Sequence, residues 1–255
     1  MFIDTHCHFD FKEFDQDRDQ IWQECVNQGV NHLIIPAVSP DGYERITTLC
    51  GRNAEFKFSA GLHPWWIDKE NLDVEALSAT ILSYLKNSEC IAVGECGLDT
   101  LISTSLDKQI NFFEVQIKLA IEVEKPLIIH CVKAHNELIE LLKKHKPCVG
   151  GVIHGFSGSF EQASTYWDMG FAIGVGGTIT YSRAKKTRDA IARLPLEALV
   201  LETDSPAMPL AGQQGKRNSP LQVVNVAKAL SELRGLPLEE IGYKTSDNAH
   251  RVFKF

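Results

Sequence analysis

The chain has no long apolar run, no Cys-x-x-Cys pair, no excess of basic residues and no low-complexity tract in its 255 residues. Each absence excludes something. A membrane-spanning helix needs about 20 consecutive apolar residues, and none are present. The opening MFIDTHCHFD already carries acids and histidines, so it lacks the basic and apolar regions of a secretory signal. The seven cysteines are odd in number and scattered singly, which argues against a disulfide framework. They read as reduced, mostly buried thiols of a cytoplasmic protein. With 26 Lys and Arg against 33 Asp and Glu, the net charge is -7. Bulk electrostatics therefore do not draw this chain to nucleic acid, and a polyanionic substrate has to be held by local cations or bound metals. No glycine-rich dinucleotide fingerprint follows an early strand.

What is present is an ordinary globular composition, 44% hydrophobic, in a chain long enough to bury a large core. Short β-rich apolar runs recur at residues 2–7, 31–38, 55–61, 90–95, 126–131, 151–156, 171–177 and 198–204. Several are almost continuously apolar, as expected of parallel strands covered on both faces. Helical spacing of apolar residues appears between them, at 105–124, 133–146 and 182–194. Ser219-Pro220 reads as the cap and first residue of a helix that Gly235 stops. A terminal helix is expected from Pro237 to about Phe253, with Gly242 and Thr245-Ser246 arguing against its continuity. Eight strands alternating with helices predict a single-domain (β/α)8 barrel over residues 1–255, with a doubly wound open sheet as the alternative.

In a barrel the chemistry gathers at the C-terminal ends of the strands. In the stretch FIDTHCHFD, His6 and His8 lie two residues apart, so on a strand they share one face and Cys7 takes the other. The remaining strand ends present His63, Glu95, His130, His154 and Asp204. Four imidazoles and two carboxylates (His6, His8, His130, His154, Glu95 and Asp204) are too many for one tetrahedral ion with an open position. They suit two divalent ions. His6, His8 and Asp204 are expected around the first, His130 and His154 around the second, with Glu95 bridging or joining the second. Nitrogen-rich ligation favours Zn²⁺ or Mn²⁺, with Mg²⁺ left open for activity. Cys7 and Cys131 are expected to turn outward and pack. Cys96 is open between packing and the site. Glu202, two residues before Asp204, fits either a group behind a ligand or a structural acid.

The order and wording of FIDTHCHFD, GLHP, VGECGLD, LIIHC, HGFSGS, IGVGGTIT and LVLETDSP resemble the TatD family of metal-dependent hydrolases, within the amidohydrolase superfamily. HGFSGS, IGVGGTITY and the 182–196 segment are most similar to its YjjV branch. The resemblance implies a (β/α)8 barrel, a dinuclear metal centre on the same six residues, and phosphodiesterase activity of the deoxyribonuclease type. Two departures concern substrate contacts: Thr100-Leu101 stand where many relatives have tyrosines after GLD, and Val132-Lys133 follow His130-Cys131 where an arginine is common.

The expected reaction is hydrolysis by metal-activated water, with Glu95 and Asp204 as the catalytic carboxylates and Asp204 as the proton shuttle. The expected substrate is single-stranded DNA or a DNA end. Hydrolysis of small ester, amide or aminoacyl bonds, and a non-catalytic metal-binding role, are the alternatives. No membrane or obligate protein partner is expected. Candidate substrate contacts are His63, Lys216 and Arg217, with Arg183, Lys185, Lys186 and Arg188 as a further basic group. His63 equally reads as an ordinary turn histidine, and Trp65-Trp66 reads either as a base-stacking surface or as cover for the barrel rim.

Overall fold

A computed structural model describes residues 1–70 and 72–255. The strands are β1 (Phe2–Asp4), β2 (Val30–Pro36), β3 (Phe56–Ala60), β4 (Cys90–Asp99), β5 (Leu127–Val132), β6 (Gly151–Ile153), β7 (Phe171–Val175) and β8 (Leu199–Leu201). The helices are α1 (Arg18–Asn27), α2 (Tyr43–Cys50), α3 (Val74–Tyr84), α4 (Leu106–Glu122), α5 (His135–His145), α6 (Phe160–Asp168), α7 (Lys185–Arg193), α8 (Val223–Arg234) and α9 (Leu238–Phe253). All eight strands belong to one sheet in sequential order, and every pair is parallel. The fold is the expected (β/α)8 barrel, and the open-sheet alternative fails where β8 returns to β1.

That return is carried by hydrogen bonds beyond the regular strands. The Thr5 amide donates to Leu201 O at 3.0 Å, Asp204 N to His6 O at 2.8 Å and His8 N to Ser205 O at 2.8 Å. Side chains reinforce the seam. Buried Asp4 accepts from Thr203 N at 3.0 Å and Thr203 Oγ1 at 2.6 Å. Cys7 Sγ lies 3.0 Å from Ser205 Oγ, so this cysteine packs away from the site, as alternation requires.

The core has two layers. Inside the barrel, Ile3, Ile34, Ile128, Val152 and Val200 meet Ala249, Val252 and Phe253 of α9, which stops the bottom of the barrel. Fully burying side chains of this size is worth roughly 1.5–3 kcal/mol each. The larger layer lies between the strands and the outer helices. The terminal helix expected from Pro237 to about Phe253 is α9, and it runs without a break. Gly242 is buried, and Thr245 Oγ1 satisfies itself on Ile241 O at 2.7 Å. Asn248 then ties the helix to the start of β8 and the turn before it through Leu199 O and Leu196 O, both at 2.8 Å. Ser219 caps a 3-10 turn at Pro220–Gln222 rather than α8 itself, which begins at Val223.

One strand is irregular where the site needs it. The β4 to β5 register shifts between Val93 and Cys96. Gly94 sits there at φ +145°, and a Cβ on it would lie 2.5 Å from Ile128 O. Only glycine allows β4 this close to β5 while turning Glu95 inward.

Asp4 is a buried carboxylate of the closure seam that accepts from both Thr203 N–H and O–H, and its removal would leave the buried Thr203 N–H unpaired. Asp4→Ala is expected to destabilise the fold by about 3 kcal/mol, read as a fall in the urea midpoint at unchanged slope. An unchanged midpoint would show that the seam does not depend on this group.

Candidate metal centre

Glu95 stands at the middle of the barrel mouth, buried and bracketed by imidazoles. Its Oε2 faces His6 Nε2 at 3.2 Å and His8 Nε2 at 3.6 Å. Its Oε1 faces His154 Nε2 at 2.8 Å, His130 Nδ1 at 3.2 Å and His63 Nε2 at 3.4 Å. Asp204 Oδ1 approaches His8 Nε2 at 3.4 Å and His6 Nε2 at 3.6 Å. The ring of His6 lies flat on that of His154, with centroids 3.7 Å apart. Three triads have donor atoms close enough to share an ion: His6–His8–Asp204, His6–Glu95–His154 and His63–Glu95–His130.

The donor chemistry fits a cation. His6 Nε2 and Glu95 Oε2 are both buried and satisfied by no hydrogen bond, which is costly for polar atoms in a dry interior. Imidazole nitrogen beside carboxylate oxygen is what borderline divalent metals prefer.

Protonation follows the same geometry. Burial drives His6 down to about 4, helped by neighbouring His154, and drives His63 down to about 3. Burial also opposes charge on His8, but Asp204 and Glu95 outweigh it and lift the ring to about 9. His130 is lifted to about 9 in the same way by Asp99 and Glu95. Burial pushes Glu95 upward, yet the surrounding imidazoles hold it well below the usual carboxylate range.

Two acids stand behind the histidines. Asp99 Oδ2 receives the indole N–H of Trp65 at 2.7 Å and lies 3.5 Å from His130 Nε2. The Leu101 amide holds the other oxygen at 2.8 Å, and Gln109 braces the Asp99 backbone from both sides. Asp99 thus aims His130 Nδ1 at Glu95. Glu202 Oε1 accepts from Gly155 N at 2.5 Å and lies 4.0 Å from His154 Nδ1. Burial raises Glu202 to about 7. Its place exists because residue 174 is glycine, since a Cβ there would fall 2.2 Å from Glu202 Oε2.

The six residues expected at the centre therefore come together, and the structure brings His63 in beside them. His63 also accepts from Trp65 N at 3.1 Å, so it caps the turn at Pro64–Trp66 as well. Asp99 was not singled out from the sequence; its place in GLD, four residues after Glu95 at the end of the same strand, was the available signal. Cys96 packs, its Sγ 3.6 Å from Ile128 O. Cys131 turns outward, 3.3 Å from His135 Nδ1. Arg217 is a correction. It forks onto Asp17 at 2.6 and 3.0 Å, donates to Glu13 O and covers the Phe14 ring, so it anchors its loop to the segment before α1 instead of facing substrate. Lys216 is exposed in that loop. Arg188 is likewise engaged, on Ile179 O, and Arg183 lies over Tyr181.

A family model, TatD related DNase, matches residues 3–254. The chain belongs to the TatD family. It is 41% identical over 254 residues to the metal-dependent hydrolase YjjV of Escherichia coli (strain K12), covering 99% of this chain and 97% of that protein. A metal-dependent hydrolase of Haemophilus influenzae is 40% identical over 99% of both chains. The crystal structure of Escherichia coli YjjV superposes with a TM-score of 0.95 at 40% identity, covering 100% of this chain and 98% of that one. This TatD-family protein is accordingly a metal-dependent hydrolase. Among the described residues no helix is long and apolar enough to cross a membrane.

Two outcomes test the centre. His8 and His130 are protonated below about pH 9 without metal, and each must lose its proton to bind an ion. Calorimetry in buffers of different ionisation enthalpy is expected to show proton release at pH 7. The apparent metal affinity should rise with pH and level off above about 9. Heats independent of the buffer would contradict this. Asp99→Asn is expected to weaken metal binding by about 10–100-fold, read by competition with a chelator; unchanged affinity would leave Asp99 with Trp65 alone.

Proposed function

We propose that this TatD-family protein is a phosphodiesterase that cleaves single-stranded DNA or DNA ends with the help of two divalent ions, held by His6, His8, Glu95, His130, His154 and Asp204. The observation that carries this reading is the split of Glu95, with one oxygen aimed at His6 and His8 and the other at His63, His130 and His154. A single ion needs no such divided carboxylate, whereas a pair of ions needs a shared one. Imidazole-rich ligation with two carboxylates favours Zn²⁺ or Mn²⁺ over Mg²⁺.

When bound, the ions lower the pKa of a water and neutralise charge on the attacked phosphate. The chain's own residues do the rest. Asp204 is the more open of the two carboxylates, its side chain 18% exposed against 2% for Glu95. It stands at the mouth, where it can take the proton of the attacking water and pass it on. Glu95 stays ionised and holds the two halves of the centre at fixed separation. Asp99 keeps His130 in register through its far nitrogen, and Glu202 stands behind His154 at 4.0 Å without a hydrogen bond to it. Half-exposed Trp65, its indole N–H fixed by Asp99, offers a flat apolar face at the rim on which an unpaired base can stack. A duplex offers no free base to that face, so single strands fit better.

The test is end-labelled single-stranded DNA set beside p-nitrophenyl esters, with protein reconstituted in Mn²⁺, Zn²⁺ or Mg²⁺. Single strands are expected to be cut faster than duplex, and Asp204→Asn to lower kcat by about 10²–10⁴-fold. Intact DNA with rapid ester hydrolysis would assign small esters instead. Activity that survives His130→Ala combined with Asp204→Ala would end the two-ion account.

A further inference from the structure

Beside the centre lies a cleft of about 530 Å³ that the mechanism above does not use. Its lining includes Cys131 and Gly155, the residues that follow His130 and His154 in the chain, so the same two strand ends serve the cleft and the centre. Its walls come from the loops after β5, β6, β7 and β8, and they carry Asn136, Ser157 and Thr178 together with Lys133 and Lys186.

Those two lysines differ from the other cations near the mouth. Arg217, Arg188 and Arg183 are each engaged by a carboxylate, a carbonyl or a ring. Among the described residues, neither Lys133 nor Lys186 has an ion pair, and neither ammonium makes a hydrogen bond. They arrive from separate elements, Lys133 from the β5–α5 loop and Lys186 from the first turn of α7. Lys133 holds a left-handed backbone (φ 56°), a conformation that costs energy for a side-chain-bearing residue and gathers at functional sites. Both α5 and α7 begin at this cleft without a side-chain cap, which adds their positive ends to the field. Glu137 also lines the cleft and leaves the three charged side chains with a net positive charge of one. In a chain of net charge -7, a local positive cleft beside the centre is a selective feature.

We propose that this cleft is a binding site for a second phosphate group, the one next to the scissile phosphate on a nucleic acid strand, and that Lys133 and Lys186 hold it. The assignment rests on the phosphodiesterase reading for the source of that phosphate, while the anion site itself does not. It makes the two lysines specificity residues: they favour a strand over a simple diester.

The experiment compares thymidine dinucleotides with and without an additional terminal phosphate as substrates of the metal-loaded protein. The extra phosphate is expected to lower KM by about tenfold per lysine contact. In Lys133→Ala combined with Lys186→Ala this ratio should collapse towards one. In Lys185→Ala, an exposed neighbour outside the cleft, it should persist, and the charge-keeping Lys133→Arg and Lys186→Arg should retain most of it. A wild-type ratio of one, or a ratio unchanged in the double variant, overturns the proposal. A second readout needs no turnover. Titration of the zinc-loaded protein with inorganic phosphate should shift the backbone amide resonances of Asn136 and Ser157, and the double alanine variant should need at least about tenfold more phosphate to do so. Amides that do not respond in the wild type overturn the site. If no dinucleotide is cut while these amides respond in a lysine-dependent way, the phosphodiesterase reading falls and the anion site stands.

Discussion

The buried carboxylate of Glu95 is the constraint on which the rest of the mouth depends. A carboxylate out of water is costly by several kcal/mol unless it is paired, and here the pairing is supplied by five imidazoles from four strand ends. Without metal, the protons on His8 and His130 answer the charge on Glu95, Asp204 and Asp99. A bound metal ion takes the place of those protons, since imidazole must be neutral to ligate. The unsatisfied His6 Nε2 and Glu95 Oε2 show how much of the interior's polar balance is left for a cation to complete.

Such a site needs a frame that does not yield, and the barrel supplies it through closure. The seam between β8 and β1 places Asp204 next to His6 by a direct backbone bond, 2.8 Å from Asp204 N to His6 O. The ladder that closes the barrel is therefore the same one that sets the distance between two members of the site. Asp4 and Thr203, just beneath, hold that ladder with side-chain bonds that water cannot replace. Stability and site geometry are linked here because they share these few residues.

Much of this was readable beforehand. Eight β-rich runs at regular spacing, with histidines and acids at their ends, are enough to infer the barrel and to collect His6, His8, Glu95, His130, His154 and Asp204 at one mouth. The rest was not readable, for particular reasons. The continuity of α9 depends on the buried face that Gly242 and Thr245 present, a tertiary effect that overrides their weak helical preference. Arg217 looked free because its partner, Asp17, lies 200 residues away in the chain. The place of Asp99 behind His130 depends on side-chain reach, which strand periodicity does not encode.

The residue types and their spacing alone determined that this chain closes a parallel barrel and gathers imidazoles and carboxylates at its mouth, because alternation on a strand and the polarity of parallel strands leave little choice. Only the tertiary structure decided which oxygen of Glu95 faces which histidine, which acids stand behind the ligands and which lysines remain unengaged. Those outcomes rest on distances of a few ångströms between residues far apart in the chain, and such distances exist only once the barrel has closed.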